Sequence, residues 1–177
     1  MNITEKIIVT DTNIITDLHI AGVLKKYSAL NNVFISDLVK NDEINFKTCN
    51  IETIEDMKTI SSSANELLEA NLLSIQQPKL TTHDIINFIL ARDNNYILAT
   101  GDKDLKVFSE SRNVEVIRTL KIIELMCIHG VITYSEALNG LYSLKKYPKT
   151  RIPIQLIDDM IDKIKNSANM CWILFFY

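Results

Sequence analysis

The chain has 177 residues, of which 47% are hydrophobic and 23% charged, which is ordinary for a folded globular protein and excludes extensive disorder. Its formal net charge of −3 excludes the overall basic excess with which many proteins hold duplex nucleic acid, so any contact with nucleic acid must be local. The length suits one domain with a substantial core, and no Pro-, Gly- or Ser-rich linker divides it.

Cysteine usage and the two ends of the chain bear on its location. The three cysteines form no C-x-x-C pair and are odd in number, which favours neither a zinc site nor a closed disulfide framework. The first residues lead into a short apolar strand without the features of a signal peptide. Residues 172–177 form an apolar run far shorter than the ~20 residues that cross a bilayer. We expect a cytoplasmic protein without membrane contact, in which this tail packs on the core, forms an oligomer contact such as a homodimer, or is an aberrant terminus.

The predicted strands alternate with predicted helices. Runs rich in β-branched residues predict strands at 6–10, 32–35, 96–100 and 114–118, and a short edge strand is expected at 72–75. Helical periodicity predicts helices at 12–21, at 23–30, from about 37 onward, and in one or two pieces between 51 and 71. This alternation indicates an α/β protein with a parallel sheet.

The second half of the chain is mostly helical. Thr81 is a candidate helix cap with Asp84 three residues on, and 85–92 has almost no polar face, which indicates a buried helix. Further helices are predicted at 102–112, 120–128, 135–146 and 153–166. The last two are joined by a segment that Pro148 and Pro153 bracket, and they form a C-terminal helical cap.

Aspartates follow two of the predicted strands. In open parallel sheets, ligands bind beyond the carboxyl ends of the strands. Asp11 closes the first strand and Asp102 follows the strand at 96–100 through Gly101, so their carboxylates converge if these strands are neighbours. Asp84 lies in the first turn of the buried helix, where the helix dipole favours an anion. A capping box is the ordinary explanation of Asp84, and it remains open here.

Asp42 and Glu43 complete the acidic set. Only one of two adjacent residues can point inward from a helix, and a solvated surface is the ordinary explanation of either. Four aspartates held close together would repel one another unless a divalent cation neutralised them. Oxygen ligands without histidine or thiolate select Mg²⁺ or Mn²⁺ over zinc, and such ions promote phosphodiester hydrolysis. The pattern therefore predicts a metal-dependent phosphodiesterase.

Four segments resemble the PIN-domain family of ribonucleases in order and spacing, over roughly residues 6–130. They are Val-Thr-Asp-Thr-Asn at 9–13, Ile-Ser-Asp-Leu-Val-Lys-Asn-Asp at 35–42, Thr-His-Asp-Ile-Ile-Asn-Phe-Ile-Leu-Ala-Arg at 82–92, and Leu-Ala-Thr-Gly-Asp-Lys-Asp-Leu at 98–105. The resemblance implies a three-layer α/β/α sandwich with a central parallel sheet of about four or five strands. It also implies a metal-dependent endoribonuclease, often the toxin of a toxin–antitoxin pair that a small antitoxin protein inhibits.

The resemblance carries over to individual residues. It implies that Asp11, Asp84 and Asp102 are catalytic ligands of Mg²⁺ or Mn²⁺. Asp42 occupies a position where the family usually has glutamate, and its shorter side chain would reach a metal through water. Glu43 is the alternative if the helix register differs.

Two neighbours of these acids are expected to support the site. The resemblance implies that Asn13 orients the first aspartate, and Thr100 is assigned a supporting role beside Asp102.

Residues 131–177 resemble the helical extension of a subgroup of the family, packed on the same domain as the nuclease core at 1–130. The densest basic group lies in this extension and comprises Lys145, Lys146, Lys149 and Arg151. It is a candidate contact for RNA phosphates or for an antitoxin's acids, although a solvated face is the commoner explanation.

Two rival interpretations remain open. A non-catalytic PIN-fold module that binds or regulates is consistent with the shortened acid at Asp42 and the apolar tail. A nuclease acting on DNA is chemically equivalent at this stage, because a metal site contacts phosphate and not the 2′-hydroxyl.

Overall fold

The computed structural model of the protein describes residues 3–44 and 57–174, and the side chains of 3–42 and 57–167. Within these ranges the strands are β1 (Ile8–Thr10), β2 (Val33–Ser36), β3 (Lys58–Ile60), β4 (Ile97–Ala99) and β5 (Val116–Ile117). The α-helices are α1 (Thr12–Ile20), α2 (Leu24–Ser28), α3 (Ala64–Gln76), α4 (Thr82–Asn94), α5 (Lys103–Glu110), α6 (Thr119–Ile128), α7 (Tyr134–Lys146) and α8 (Ile154–Leu174). A π-helix (Val39–Ile44) follows β2.

The five strands form one parallel sheet in the order β3-β2-β1-β4-β5. β1 therefore lies in the centre and pairs with β2 on one side and with β4 on the other. All residues of β1 and β4 are buried, as expected for central strands of a sheet that helices cover on both faces. β1 and β4, the strands that precede Asp11 and Asp102, are therefore neighbours, which meets the condition for their carboxylates to converge.

Two hydrophobic cores separate the sheet from its helices. The core on one face contains buried side chains of α1, α2, α6, α7 and α8, and the core on the other face contains those of α3, α4 and α5. Val9 and Leu98 face the second core, whereas their neighbours in β1 and β4 face the first. This is the expected three-layer α/β/α sandwich with additional C-terminal helices.

The C-terminal helices share the first core with α1. Leu141 of α7 and Ile157 of α8 are completely buried in it. Gly140 makes the closest approach, because a Cβ at this position would lie 2.8 Å from the backbone oxygen of Ala21, which follows α1. The extension is thus packed directly on the helix that leaves β1.

One predicted strand is wrong. Residues 72–75 lie in the C-terminal turns of α3, which begins with a capping box formed by Ser63 and Glu66. The edge strand is instead β3, a short segment with two exposed residues that has no apolar alternation. Of the helices predicted between 51 and 71, residues 51–56 lie outside the described residues. Residues 175–177 and the side chains from 168 onward also lie outside the described residues. The expectations for the apolar tail at 172–177 therefore stay predictions.

No helix in the described parts of the chain combines the length and apolar character that crossing a membrane requires.

Candidate active site

The candidate active site lies at the carboxyl ends of three neighbouring strands. The register of β1 with β2 and β4, continued two residues beyond Val9, places Asp11 between Ser36 and Thr100. Side chains alternate along a strand, and Val9 faces the core that contains α4, so Asp11 faces that side as well. The carboxylate of Asp11 is therefore flanked by the hydroxyls of Ser36 and Thr100, and all three residues are buried.

Hydrogen bonds from neighbouring residues hold Asp11 in position. Thr100 donates its hydroxyl to Oδ2 of Asp11 at 2.8 Å, and Asn13 donates its side-chain amide to the same oxygen at 3.1 Å. The backbone amide of Asp11 donates to the oxygen of Ala99 on β4 at 2.9 Å. Asp11 is only 4% exposed, so the carboxylate is held in position by both the sheet and its side-chain partners.

Thr100 also connects Asp11 to Asp102. The Thr100 hydroxyl accepts a hydrogen bond from the Asp102 backbone amide at 3.0 Å. Asp102 caps α5, because its Oδ1 accepts from the Leu105 backbone amide at 2.8 Å. Gly101 lies between them, and a Cβ there would lie 3.2 Å from the Cβ of Asn13. Glycine therefore lets the β4–α5 turn approach α1, which brings Asp102 near Asp11.

Arg151 connects the C-terminal extension to this network. Its Nη1 donates to Oδ1 of Asn13 at 2.7 Å, so the amide nitrogen of Asn13 is directed towards Asp11. Sequence patterns contain no signal for this contact, because 138 residues separate Arg151 from Asn13. Asn13 is therefore oriented from two sides.

Asp84 lies at the same edge of the sheet but is used locally. It forms a capping box with Thr81, whose backbone amide and hydroxyl each donate to Oδ2 of Asp84 at 2.8 Å. The capping explanation left open by the sequence is therefore correct. Because α4 precedes the parallel strand β4 and packs on the sheet, its first turn lies at the carboxyl edge.

Asp42 lies in the π-helix and contacts the first turn of α4. Its Oδ2 lies 3.2 Å from Nε2 of His83, and its side chain is 58% exposed. The side chain of Glu43, the alternative ligand, lies outside the described residues. The predicted acids thus form two groups, which we name the Asp11 half (Asp11, Asn13, Thr100 and Asp102) and the Asp84 half (Asp42, His83 and Asp84).

Two buried polar residues beside the site were not predicted. Neither side-chain amide atom of Asn87, one turn beyond Asp84 in α4, has a hydrogen-bond partner among the described residues, and the same is true of the Ser36 hydroxyl. Both residues are completely buried. The signal for Asn87 was available, because it is an amide inside a helix that is apolar nearly all round.

The two halves differ from a closed metal cage. Within the described part of the chain, no three His, Cys, Asp or Glu side chains are grouped closely enough to hold a metal ion by themselves. Mg²⁺, however, usually takes one or two carboxylates and completes its shell with waters and substrate phosphates. Asp11 and Asp102, joined through Thr100, fit this donor set.

Comparison with protein families identifies the family of the chain. A family model described as a PIN domain matches residues 7–166. The chain belongs to the PIN-domain family. The match extends through α7 and into α8, so it includes most of the C-terminal extension of this PIN domain. Comparisons with curated proteins and with solved structures gave no significant match.

Family membership assigns a general chemistry to the fold. PIN domains are generally nucleases and typically use divalent metals. This PIN domain accordingly has a nuclease-like fold, with its predicted acids at the carboxyl edge of the sheet.

Proposed function

We propose that this PIN domain is a Mg²⁺- or Mn²⁺-dependent endoribonuclease. The observation that carries the proposal is the Asp11 half, in which a buried carboxylate is hydrogen-bonded to Thr100 and Asn13 and linked through Thr100 to Asp102. Such a network contributes nothing to the hydrophobic core, and it lies where parallel sheets bind their ligands. A preorganised carboxylate of this kind is what a metal-dependent site requires.

The acids have distinct roles in this proposal. Asp11 and Asp102 would hold the ion directly, and Asp84 and Asp42 would join its shell through water. When bound, the ion supplies an acidified water and stabilises the charge of the leaving oxygen.

The other residues of the chain position these acids. Thr100 and Asn13 each donate to Oδ2 of Asp11, which fixes the plane of the carboxylate. Arg151 fixes the Asn13 amide in turn. The Asp102 backbone is held by the same hydroxyl that holds Asp11, so one side chain positions both acids.

The rival function is a binding module that has the fold without the activity. It is favoured by the exposure of Asp42 and by the use of Asp84 as a helix cap. The two proposals differ in one measurable property, which is metal-dependent cleavage that requires Asp11.

The experiment compares single-stranded RNA and a DNA strand of matched sequence, incubated with the protein and Mg²⁺, Mn²⁺ or EDTA. We expect internal cleavage of the RNA that EDTA abolishes. Asp11→Asn should remove this cleavage, whereas Asp93→Asn should retain it. Asp93 is a matched control because it lies on α4 like Asp84 but at the opposite end, where it pairs with Arg92.

Circular dichroism melting of each variant checks that the fold persists. Cleavage by Asp11→Asn at the wild-type rate, or cleavage that persists in EDTA, would overturn the proposal. Absence of any cleavage by the wild type with either metal would favour the binding module. Equal cleavage of the DNA strand would support metal-dependent phosphodiester hydrolysis but would contradict the assignment of RNA as the substrate.

A further inference from the structure

A groove lies between the nuclease core and the C-terminal extension. Its volume is about 740 Å³, and it is bounded on the core side by α1, the end of α5 and the start of α6. The wall on the other side is formed by the connection between α7 and α8 and by the first turns of α8. The extension therefore adds a surface that the sheet and its own helices do not provide.

The groove is basic although the whole chain is acidic. Six of its lining residues are basic: Lys106, Arg118, Lys121, Lys149, Arg151 and Lys163. Three are acidic: Asp17, Glu110 and Asp159. The chain as a whole has a net charge of −3, so this excess of cations is a local feature. A chain without an overall basic excess can contact nucleic acid only through such a local basic surface.

The cations that line the groove differ in the partners that hold them. Lys121 and Lys163 are both held by the buried carboxylate of Glu124, at 2.7 and 2.6 Å, and Lys106 pairs with Glu110 at 3.7 Å. Lys149 has no ion-pair partner in the described part of the chain and is exposed. Arg118 donates to the backbone oxygen of Gly101 at 2.8 Å, so its guanidinium lies beside the turn that carries Asp102.

The groove is continuous with the candidate active site. Asn13 and Gly101, which adjoin Asp11 and Asp102, are among its lining residues. Arg151 lines it as well and contacts Asn13 directly. A chain of phosphates that passed the carboxylates would therefore enter this groove next.

The remaining surface of the groove suits unpaired bases. Its extension wall contains the apolar side chains of Ile152, Pro153, Leu156 and Met160. Tyr147 lines the same wall and is 36% exposed. Single-stranded nucleic acid is bound by combining a positively charged groove with aromatic and apolar surfaces on which bases stack. Paired bases are not available for such stacking.

We propose that this groove binds the single-stranded segment of nucleic acid next to the scissile phosphodiester. Lys149 and Arg118 contact its phosphates, and Tyr147 stacks on a base. The inference rests on the proposed function, because it takes the Asp11 half as the place of cleavage. It assigns the C-terminal extension to substrate binding, and it makes unpaired substrate a requirement.

The test uses two lysines that are three residues apart in the chain. Lys149→Glu changes a groove residue, and Lys146→Glu makes the same charge change on an exposed residue outside the groove. Binding of a fluorescein-labelled 12-nucleotide RNA without secondary structure is measured by anisotropy in EDTA, with a gel to show that the RNA stays intact.

We expect Lys149→Glu to weaken binding at least about fivefold and to reduce the salt dependence by roughly 0.7 in slope, as for one lost phosphate contact on a single strand. Tyr147→Ala should also weaken binding about fivefold or more. Lys146→Glu should stay within about twofold of the wild type, because its charge is in solvent.

Equal losses in Lys149→Glu and Lys146→Glu would overturn the proposal. So would unchanged RNA binding by Lys149→Glu together with lost binding of polyglutamate, which would assign the groove to an acidic protein such as an antitoxin. A duplex of the same sequence that binds as tightly as the single strand would contradict it as well.

The failure of this inference is distinguishable from failure of the proposed function. Binding that depends on Lys149 without any cleavage would overturn the endoribonuclease and retain the groove. Cleavage that Asp11→Asn abolishes and Lys149→Glu leaves unchanged would retain the endoribonuclease and overturn the groove.

Discussion

The two halves of the carboxyl edge are built in different ways. Asp11 is 4% exposed and held by hydrogen bonds from two neighbouring segments. The side chain of Asp42, in contrast, is 58% exposed and contacts the first turn of α4 through His83. Asp84 caps the helix on which it lies. A residue at a strand end is fixed by the sheet, whereas a residue at a helix start also serves the helix. The Asp11 half is therefore the preorganised part of the site.

The largest expected difference between the halves is in catalysis. Asp11→Asn should lower the single-turnover rate of RNA cleavage by at least about 100-fold, more than is typical for groups that only orient a ligand. Asp42→Asn should lower it by less than about tenfold, because an exposed acid acts through water. A larger loss in Asp42→Asn than in Asp11→Asn would contradict the comparison.

Thr100 tests whether the hydrogen bonds of the Asp11 half matter. Thr100→Val keeps the shape but removes the donor to Asp11 and the acceptor for the Asp102 amide, so activity should fall about 10–100-fold. Thr10→Val is the matched control, because Thr10 is equally buried but its hydroxyl bonds to Tyr27 on the opposite face of the sheet.

Both valine variants should lose roughly 1–3 kcal/mol of stability in urea unfolding, because each leaves a buried partner unsatisfied. Only Thr100→Val should lose activity beyond what its stability explains. Equal activities of the two variants, measured well below their melting temperatures, would remove the catalytic role of the Thr100 hydroxyl.

The Asp84 half can be tested by separating its capping role from any other role. Thr81→Ala should destabilise the protein by about 1 kcal/mol, because α4 loses its N-cap. Asp84→Asn should have a similar or smaller effect on stability, since it weakens the other half of the capping box. If Asp84 only caps, the two variants should have the same activity per folded molecule. A specific loss of cleavage in Asp84→Asn would show that it also serves the metal.

The smallest expected effect concerns Asp17, one turn after Asn13 in α1. Burial raises the pKa of Asp17, although a hydrogen bond from Thr119 at 2.6 Å and the charges of Arg151 and Arg118 oppose the increase. A raised pKa means that the folded state keeps a proton that the unfolded state has lost. This contribution is complete below the unfolded pKa and disappears as the pH rises through the folded pKa.

The stability of the wild type relative to Asp17→Asn should therefore fall as the pH increases from 3.5 to 7. Thermal melting over this range measures the difference. Thr119→Val should make the decrease steeper, because it removes the hydrogen bond that favours the charged carboxylate. A wild type that gains stability over Asp17→Asn with increasing pH would contradict the assigned burial effect.

Much of the fold could be predicted from the sequence. β1 and β4 are short runs of mostly apolar residues because both of their faces are buried, and this burial makes them easy to recognise. The capping box at Thr81 likewise marks the start of α4. The positions of Asp11 and Asp102 followed from these elements, because parallel strands end at one edge of the sheet.

The edge strand could not be predicted in the same way. β3 has only three residues, two of them exposed, and it is a strand because Ile35 and its neighbours in β2 offer it hydrogen bonds. Residues 72–75 are apolar enough for a strand but continue a helix that Ser63 has already started. Pairing with a neighbouring strand determines whether such a segment forms a strand, and the local sequence holds no information about that pairing.

The contribution of the extension also depends on tertiary structure. The basic group predicted near residue 150 is divided, because Lys145 pairs with Asp158 at 2.6 Å whereas Lys149 and Arg151 line the groove. Lys145 lies at the end of α7 and Lys149 lies in the loop after it, so these sequence neighbours have different surroundings. The contact of Arg151 with Asn13 depends on the packing of α7 and α8 against α1.

The most direct test of the Asp11 half is a calorimetric titration of Mn²⁺ into the wild type, Asp11→Asn and the control Asp93→Asn. We expect saturable binding to the wild type and to Asp93→Asn, and loss of that binding in Asp11→Asn. Equal binding by all three proteins, or no binding by the wild type at millimolar Mn²⁺, would contradict the claim that the carboxylate network around Asp11 is a metal site.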